Sequence, residues 1–314
     1  METDELTQVR TFNEQLEQLL AVMPSITSTP PEVARKARAE GRGGFPPPER
    51  VKGAVDRMVP GRDGRDIPVR VMVPPGEVNG VYFHIHGGGH TIGTTWENDV
   101  ALWRVARHCH VATVSVEYRL APEDPFPAGP DDCEDAAVWL VEKARAEFDT
   151  ERLLIGGESA GAHLCALTLL RLRDRHGITG AFRAANLVYG AYDLSGTPSA
   201  RNWARNLILS REVLEWFGDN LLPGVDREAR RDPEISPLYA DLRDMPPALF
   251  QVGTLDPLLD DSLFMYERWR VAGNEARLEV YEEAIHGFNA FPLLIAKRAN
   301  LAQEAFITEM VTRA

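Results

Sequence analysis

Hydrophobic and polar positions follow two patterns that take turns along the chain. Short apolar or alternating runs, typical of strands, lie at 53–59, 66–73, 81–85, 111–116, 153–155, 184–189, 248–252 and 276–281. Longer segments with helical spacing separate most of them, at 98–108, at 130–148, from 160 onward and from about 288 to 312. The first two runs flank a turn sequence at 60–64, which predicts a hairpin. Repeated alternation of strand and helix predicts a largely parallel sheet covered by helices on both faces.

Two stretches depart from this alternation. Residues 4–23 carry apolar side chains at intervals of three and four, which predicts an amphipathic helix. A second short helix is predicted from Pro31, followed by a loop rich in Gly and Pro at 41–48. The apolar face of the helix at 4–23 must pack against another part of the molecule. The N-terminal segment is then either a brace or part of a cap over an active site. The stretch 193–245, with Ser210 as a helix N-cap, is too long for an ordinary loop and predicts an inserted helical segment.

Composition narrows the classes of partner. The 314 residues include 47 Asp and Glu against 34 Lys and Arg, and the net charge of −13 argues against nucleic acid and anionic membranes. The acidic N-terminus lacks the apolar segment of a secretory signal, and no stretch is long and apolar enough to span a bilayer. The scattered residues Cys109, Cys133 and Cys165 have no metal or redox spacing, so we expect reduced, buried thiols in a cytoplasmic protein.

The segment 157–161 carries the first candidate for chemistry. Its sequence, Gly-Glu-Ser-Ala-Gly, is a G-x-S-x-G between a predicted strand and a predicted helix, which is the setting of a nucleophile elbow. Such a turn exposes the hydroxyl of Ser159, and the helix directs its unpaired N–H groups toward the same point. A plain glycine-rich turn is the alternative for so short a pattern.

Three further candidates follow predicted strands at their carboxyl ends. The glycines of 86–89 can turn backbone N–H groups toward one point, as an oxyanion hole requires. Asp256 and His286 each follow a strand directly, and active-site groups of open α/β sheets collect at this edge. The chain order Ser159, Asp256, His286 is that of α/β-hydrolases. Taken singly, these features have plainer interpretations: a flexible turn, a helix cap and a loop histidine.

Five ordered motifs resemble the hormone-sensitive-lipase-like branch of the α/β-hydrolase esterases. They are HGGG at 86–89, YRLAPE at 118–123, GESAG at 157–161, LDPL at 255–258 and HGF at 286–288. The resemblance implies an α/β-hydrolase fold with a mostly parallel eight-stranded sheet, one early antiparallel strand and flanking helices. It also implies a catalytic domain at 51–192 and 246–314, with helical cap segments at 1–50 and 193–245.

The same resemblance implies a serine carboxylesterase that needs no metal or cofactor. Ser159 is then the nucleophile, His286 the base and Asp256 the residue that orients the imidazole. The oxyanion donors fall on the N–H groups of Gly88, Gly89 and Ala160. The expected substrates are small, short- to medium-chain acyl esters, with lactones and acetylated compounds as alternatives. Relatives often pair through an edge of the sheet, so a homodimer is one open assembly, and YRLAPE is assigned a structural role.

Two positions depart from the family pattern, and two rival classes stay open. His90 stands where an aromatic residue is usual, so we expect it to alter the pocket for the alcohol part of the ester, and Glu158 stands where Asp is frequent. One rival is a metal-dependent hydrolase that uses the H-x-H-x₃-H of His84, His86 and His90. The other is a catalytically silent small-molecule receptor, because a fold does not fix a function.

Several other residues keep two interpretations. His163, on the helix behind the elbow, is predicted to be packed or to cap. Asp260 and Asp261 are predicted first-turn helix carboxylates, with support of the His286 loop as the alternative. Aromatic residues of the insert and the apolar stripe around Phe12 are candidates either for an acyl pocket or for ordinary core; those of the insert are Trp203, Trp216 and Phe217.

Overall fold

A computed structural model describes residues 2–42 and 48–313, and within them eight strands form one sheet. The strands are β1 Val55–Pro60, β2 Asp66–Met72, β3 Gly80–Ile85, β4 Val111–Val116, β5 Leu153–Glu158, β6 Phe182–Val188, β7 Ala248–Leu255 and β8 Ala276–Ile285. Their order across the sheet is β1-β2-β4-β3-β5-β6-β7-β8. Strand β2 runs antiparallel to both of its neighbours, β1 and β4, and the other neighbouring pairs of the described strands are parallel. The predicted mostly parallel sheet, its early antiparallel strand and the hairpin are confirmed.

Helices cover both faces of this sheet. The described helices are α1 Glu2–Val22, α2 Pro31–Ala39, α3 Asp99–Cys109, α4 Ala128–Phe148, α5 Ala160–His176, α6 Pro198–Arg201, α7 Arg211–Leu221, α8 Leu259–Val271 and α9 Leu294–Thr312. Of these, α4, α5 and α8 lie on one face and α3 and α9 on the other. Strand β5 illustrates the layering, because successive side chains of a strand point to opposite faces. Leu153 and Ile155 pack in the core cluster that includes α4, α5 and α8, whereas Leu154 packs in the cluster that includes α3 and α9.

The last helix begins later than the sequence pattern predicts. Residues Phe288–Ala290 form a separate 3₁₀ turn, and Phe291 is extended, with φ −96° and ψ 156°. The next residue is Pro292, and a proline disfavours the helical conformation of the residue before it. Helix α9 therefore begins at Leu294 instead of near 288.

Two stretches lie outside the sheet and the helices that flank it, and we call residues 2–42 and 193–245 the outer segments. Helix α1 packs the buried side chains of Val9 and Leu16 into a cluster with Tyr281 of β8. Ser210 caps α7 as predicted, since its hydroxyl accepts a hydrogen bond from the N–H of Val213 at 3.2 Å. The predicted loop at 41–48 lies mostly outside the described residues.

Three further sequence predictions concern the interior and the membrane. The cysteines are buried free thiols, as expected: Cys109, Cys133 and Cys165. The core therefore contains small thiol side chains packed among the aliphatic residues of both layers.

No described helix combines the length and the apolar character needed to cross a lipid bilayer.

Candidate active site

Ser159 occupies a strained turn between β5 and α5. Its backbone lies at φ 57° and ψ −120°, a conformation that residues with a side chain rarely adopt. The turn is tight because the helix passes close to the end of β3. A Cβ atom on Gly161 would lie 1.9 Å from the carbonyl oxygen of Ile85, so only glycine fits there. This is the strand–turn–helix setting that the G-x-S-x-G pattern predicts.

Three side chains that are distant in the chain meet at this turn. Nε2 of His286 lies 2.9 Å from the hydroxyl oxygen of Ser159, and Nδ1 of His286 lies 2.8 Å from Oδ2 of Asp256. Asp256 and His286 directly follow β7 and β8, and both are buried. An ionised carboxylate only accepts, so Nδ1 carries the proton, and Nε2 is left to accept a hydrogen bond from the serine. The structure thus brings together all three residues that the sequence selected.

Residues 86–90, which follow β3 and which we call the glycine loop, lie beside the turn at Ser159. Gly88 and Gly89 both have positive φ, 118° and 59°, and the carbonyl oxygen of Gly88 accepts hydrogen bonds from Thr91 at 3.1 Å and Ile92 at 2.9 Å. Ala160 is the first residue of α5, so its N–H has no carbonyl acceptor one turn earlier in the helix. The residues predicted to form an oxyanion hole thus lie in one loop and at the start of α5, and their role as donors stays a prediction.

Glu158 ties the glycine loop to the serine turn, a role that the sequence did not reveal. Its Oε1 accepts a hydrogen bond from the N–H of Gly87 at 2.9 Å, and its Oε2 lies 3.0 Å from Nε2 of His84. Burial opposes ionisation of this carboxyl group, but the neighbouring His84 and the Gly87 N–H outweigh burial and lower its pKa. The acidic residue before the nucleophile thus fixes the start of the loop.

The histidines of the H-x-H-x₃-H pattern do not converge. His84 bonds to Ser115 and Glu158, His86 stacks on Tyr118 with ring centroids 4.3 Å apart, and the ring of His90 bonds to His163. In the described ranges no group of three or more His, Cys, Asp or Glu side chains is placed to hold a metal ion. The ring of His90 is buried against His163, and its effect on the alcohol-side pocket stays a prediction.

The acidic pair after β7 binds the start of the insert and not the His286 loop. Asp261 accepts hydrogen bonds from the N–H groups of Tyr192 at 2.7 Å and Asp193 at 2.8 Å, and Asp260 accepts one from the N–H of Ser199. Both carboxylates lie in the first turn of α8, as predicted. Burial raises the pKa of Asp261 to about 7. The alternative role of supporting the histidine loop is wrong.

Among the aromatic residues of the insert, Phe217 reaches the site. A Cβ atom on Gly89 would lie 2.3 Å from the Phe217 ring, so the ring rests directly on the glycine loop. Phe217 also packs in one apolar cluster with Ile26 of the N-terminal outer segment. Trp203 instead donates its indole N–H to the carbonyl oxygen of Leu209 at 3.0 Å. The two outer segments thus meet over the loop that follows β3.

Tyr189 is a further neighbour of the site that the sequence did not reveal. It follows β6 with φ 35°, its ring centroid lies 4.7 Å from that of His286, and its hydroxyl donates to Asn289. A single tyrosine after a buried strand carries no periodic signal, so only the folded chain shows this contact. Tyr189 limits the positions that the imidazole of His286 can adopt.

The sheet order and this constellation of side chains define an α/β-hydrolase. A family model described as alpha/beta hydrolase fold matches residues 82–290, and the chain belongs to that family. The resemblance to its esterase branch is confirmed by individual relatives. The chain is 34% identical over 292 residues to the carboxylesterase NlhH of Mycobacterium tuberculosis, covering 90% of this chain and 91% of that protein.

Two other similar proteins extend this comparison. An ethyl acetate hydrolase of Pseudomonas putida is 32% identical over 234 residues, which cover 72% of this chain and 73% of the relative. Among solved structures, a hyperthermophilic esterase of the archaeon Pyrobaculum calidifontis superposes with a TM-score of 0.84 at 29% identity, covering 96% of this chain and 97% of that one. The fold predicted from the sequence is therefore shared with known esterases over nearly the whole chain.

Proposed function

We propose that this chain is a carboxylic ester hydrolase that works through an acyl-enzyme on Ser159. One observation carries the proposal: an unbroken line of hydrogen bonds, at 2.9 Å and 2.8 Å, joins the Ser159 hydroxyl, the His286 ring and the Asp256 carboxylate. A serine hydroxyl is a weak nucleophile unless an adjacent base takes its proton. The family membership and the known relatives, an ethyl acetate hydrolase and a carboxylesterase, support the same activity.

The proposed reaction has two halves. The Ser159 oxygen attacks the ester carbonyl while Nε2 of His286 takes the hydroxyl proton, and Asp256 offsets the charge of the imidazolium. The proton then passes to the leaving alcohol as the carbon–oxygen bond of the ester breaks, which leaves the acyl group on the serine. A water molecule, activated by the same nitrogen, hydrolyses the acyl-enzyme and returns the proton to Ser159. The negative oxygen formed in each half accepts hydrogen bonds from the proposed N–H donors of Gly88, Gly89 and Ala160.

The outer segments form the proposed cap, so that residues 51–192 and 246–314 make the catalytic domain. Support comes from the contact of the Phe217 ring with Gly89 and from the packing of Ile26 in the same apolar cluster. Segments that meet over a catalytic loop limit which substrates can reach it and exclude water from the site. The N-terminal segment serves as a brace as well, because α1 packs on β8.

The proposed substrates are small esters with short- to medium-chain acyl groups. A bulky ring resting on the glycine loop leaves less room beside the reacting carbonyl than an open cleft would. The printed name of the Pseudomonas putida relative, ethyl acetate hydrolase, agrees with a small acyl group. Hydrolysis of acetyl esters is therefore the second candidate, and lactones are an alternative within the same chemistry.

Replacement of the serine tests this proposal. Ser159→Ala should reduce turnover of p-nitrophenyl esters to background, because no other group takes its place as nucleophile. Ser262→Ala is the control, since Ser262 is a buried serine whose hydroxyl has no hydrogen-bond partner within the described residues. Retention of a tenth of the activity in S159A would contradict the serine mechanism, and binding without turnover by the unaltered protein would favour a silent receptor.

A further inference from the structure

Two buried histidines that the proposed reaction does not use form a continuous link through the site. Nε2 of His90 lies 3.0 Å from Nδ1 of His163, and Nε2 of His163 lies 2.7 Å from the carbonyl oxygen of Ile235. The two rings meet edge-on, with centroids 4.9 Å apart. His90 belongs to the glycine loop, His163 to α5 and Ile235 to the insert, so one chain of bonds connects three separate parts of the molecule.

The protons in this link have only one arrangement for neutral rings. The Ile235 carbonyl oxygen can only accept, so Nε2 of His163 carries a proton. A neutral imidazole has one N–H, so Nδ1 of His163 accepts a hydrogen bond from the Nε2–H of His90. Burial lowers the pKa of His163 to about 4, and burial together with the neighbouring His163 ring lowers the pKa of His90 well below its usual value. Both rings are therefore neutral at neutral pH.

The two ends of the His90–His163 bond lie next to the catalytic backbone. His90 directly follows Gly89 and has φ 58°, a strained value for a residue with a side chain. His163 lies one turn into α5, where its N–H donates to the carbonyl oxygen of Ser159 at 3.2 Å. A side-chain bond between these positions fixes the glycine loop relative to the nucleophile, which is the relation that an oxyanion hole requires.

We propose that His163 is a positioning residue: it holds His90, and through His90 the N–H groups of Gly88 and Gly89, in the orientation that binds the oxyanion. The bond to Ile235 ties the same loop to the insert. The inference rests on the proposed oxyanion role of the two glycines. In this arrangement His90 donates a hydrogen bond to His163 of α5.

A pair of substitutions at one position isolates the bond to His90. Asn and Leu have the same branched shape, and both remove the imidazole and its bond to Ile235. Only Asn places an acceptor oxygen where Nδ1 of His163 lies, so only H163N can retain the bond from His90. We expect H163L to lower kcat about 10- to 100-fold with KM within about twofold, because the lost interaction acts in the transition state. H163N should keep kcat within about threefold of the unaltered protein.

A double-mutant cycle gives a second measurement that does not depend on how well one variant folds. H90F keeps a ring but removes the donor, so it should lower kcat by about the same factor as H163L. The double variant H90F/H163L should show no further loss, because both changes break one bond. C165A is the control for general packing loss in the core of α5, and its kcat should not change. Multiplied losses in the double variant would overturn the proposal.

A transition-state analogue separates positioning from a merely structural role. A trifluoromethyl ketone adds to the serine and leaves a negative oxygen in the oxyanion site, so its inhibition constant should rise in H163L by the factor lost in kcat/KM. Equal behaviour of H163N and H163L, while S159A is inactive, would overturn this inference alone. Activity in S159A would instead refute the proposed serine mechanism.

Discussion

The carboxyl edge of the sheet and the outer segments are built in different ways. At the edge, the three proposed catalytic residues sit directly at the ends of β5, β7 and β8; β5 and β7 are buried over most of their length, and Asp256 and His286 are themselves buried. The outer segments add arginine ion pairs to their apolar packing, such as Arg10 with Glu283 at 2.6 Å and Arg35 with Glu123 at 2.6 Å. These arginine pairs are partly exposed, and such pairs contribute little to stability because water screens their charges.

Because of this difference, we expect the catalytic rate and the substrate preference to depend on different parts of the molecule. A reacting group held by a packed sheet keeps its position to within the small movements that a dense core allows. The exposed ion pairs of the outer segments can change in composition at little cost in stability, because such pairs are weak. We therefore expect substitutions at the sheet edge to affect the rate of every ester, and substitutions in the outer segments to affect which ester is preferred.

The largest predicted effect is at the sheet edge. Asp256→Asn keeps the shape of the side chain but removes the charge and the acceptor that hold the Nδ1–H form of His286, so kcat should fall about 10⁴-fold. Asp260→Asn is the matched control in the same turn, because Asp260 bonds to Ser199 of the insert, and its kcat should stay within a few-fold. Steady-state rates with p-nitrophenyl acetate give both numbers. An Asp256 variant with a tenth of the original kcat would place the chemistry elsewhere.

The second effect is expected in the outer segments. Phe217→Ala removes the ring that rests on Gly89 and opens space beside the glycine loop. The ratio of kcat/KM for an octanoate ester to that for an acetate ester should rise about tenfold, because one to two buried methylenes are worth about that factor. Leu221→Ala is the matched control, since it lies on the same helix but packs in a different cluster. An unchanged ratio in F217A would remove Phe217 from the substrate pocket.

The smallest effect concerns the junction between the two regions, where Asp261 holds the start of the insert. Burial raises its pKa in the folded state to about 7, so the folded protein favours the protonated form. Its stabilising contribution is then fully present below the ordinary carboxyl pKa of about 4 and is lost as the pH rises through about 7. Asp261→Asn mimics the protonated group at every pH.

Urea unfolding at pH 5 and pH 8 tests whether Asp261 stabilises the folded protein less at the higher pH. The free energy of unfolding of D261N, relative to the unaltered protein, should rise between the two pH values. A relative stability that stays constant, or falls, would mean that Asp261 is ionised in the folded protein. S262A serves as the control, because it changes a buried neighbour without removing a titratable group, and its relative stability should not depend on pH in this range.

Much of the fold and the site follows from local patterns in the sequence. The alternating strands and helices predicted the sheet, and the position of Asp256 and His286 directly after strands predicted that they share an edge with Ser159. The late start of α9 depends on one proline, a local signal that overrides the apolar spacing. Single residues with distant partners could not be predicted, because no periodicity links His90 to His163 or Glu158 to Gly87. Such contacts arise only when the chain has folded.

Covalent labelling tests the central claim most directly. A fluorophosphonate forms a stable bond with an activated serine, and peptide mass spectrometry then identifies the modified residue. We predict one phosphonyl group per chain, on Ser159, with a loss of esterase activity in proportion to the labelled fraction and no labelling of S159A. Full loss of activity with the label on another residue, or equal labelling of S159A, would contradict the account.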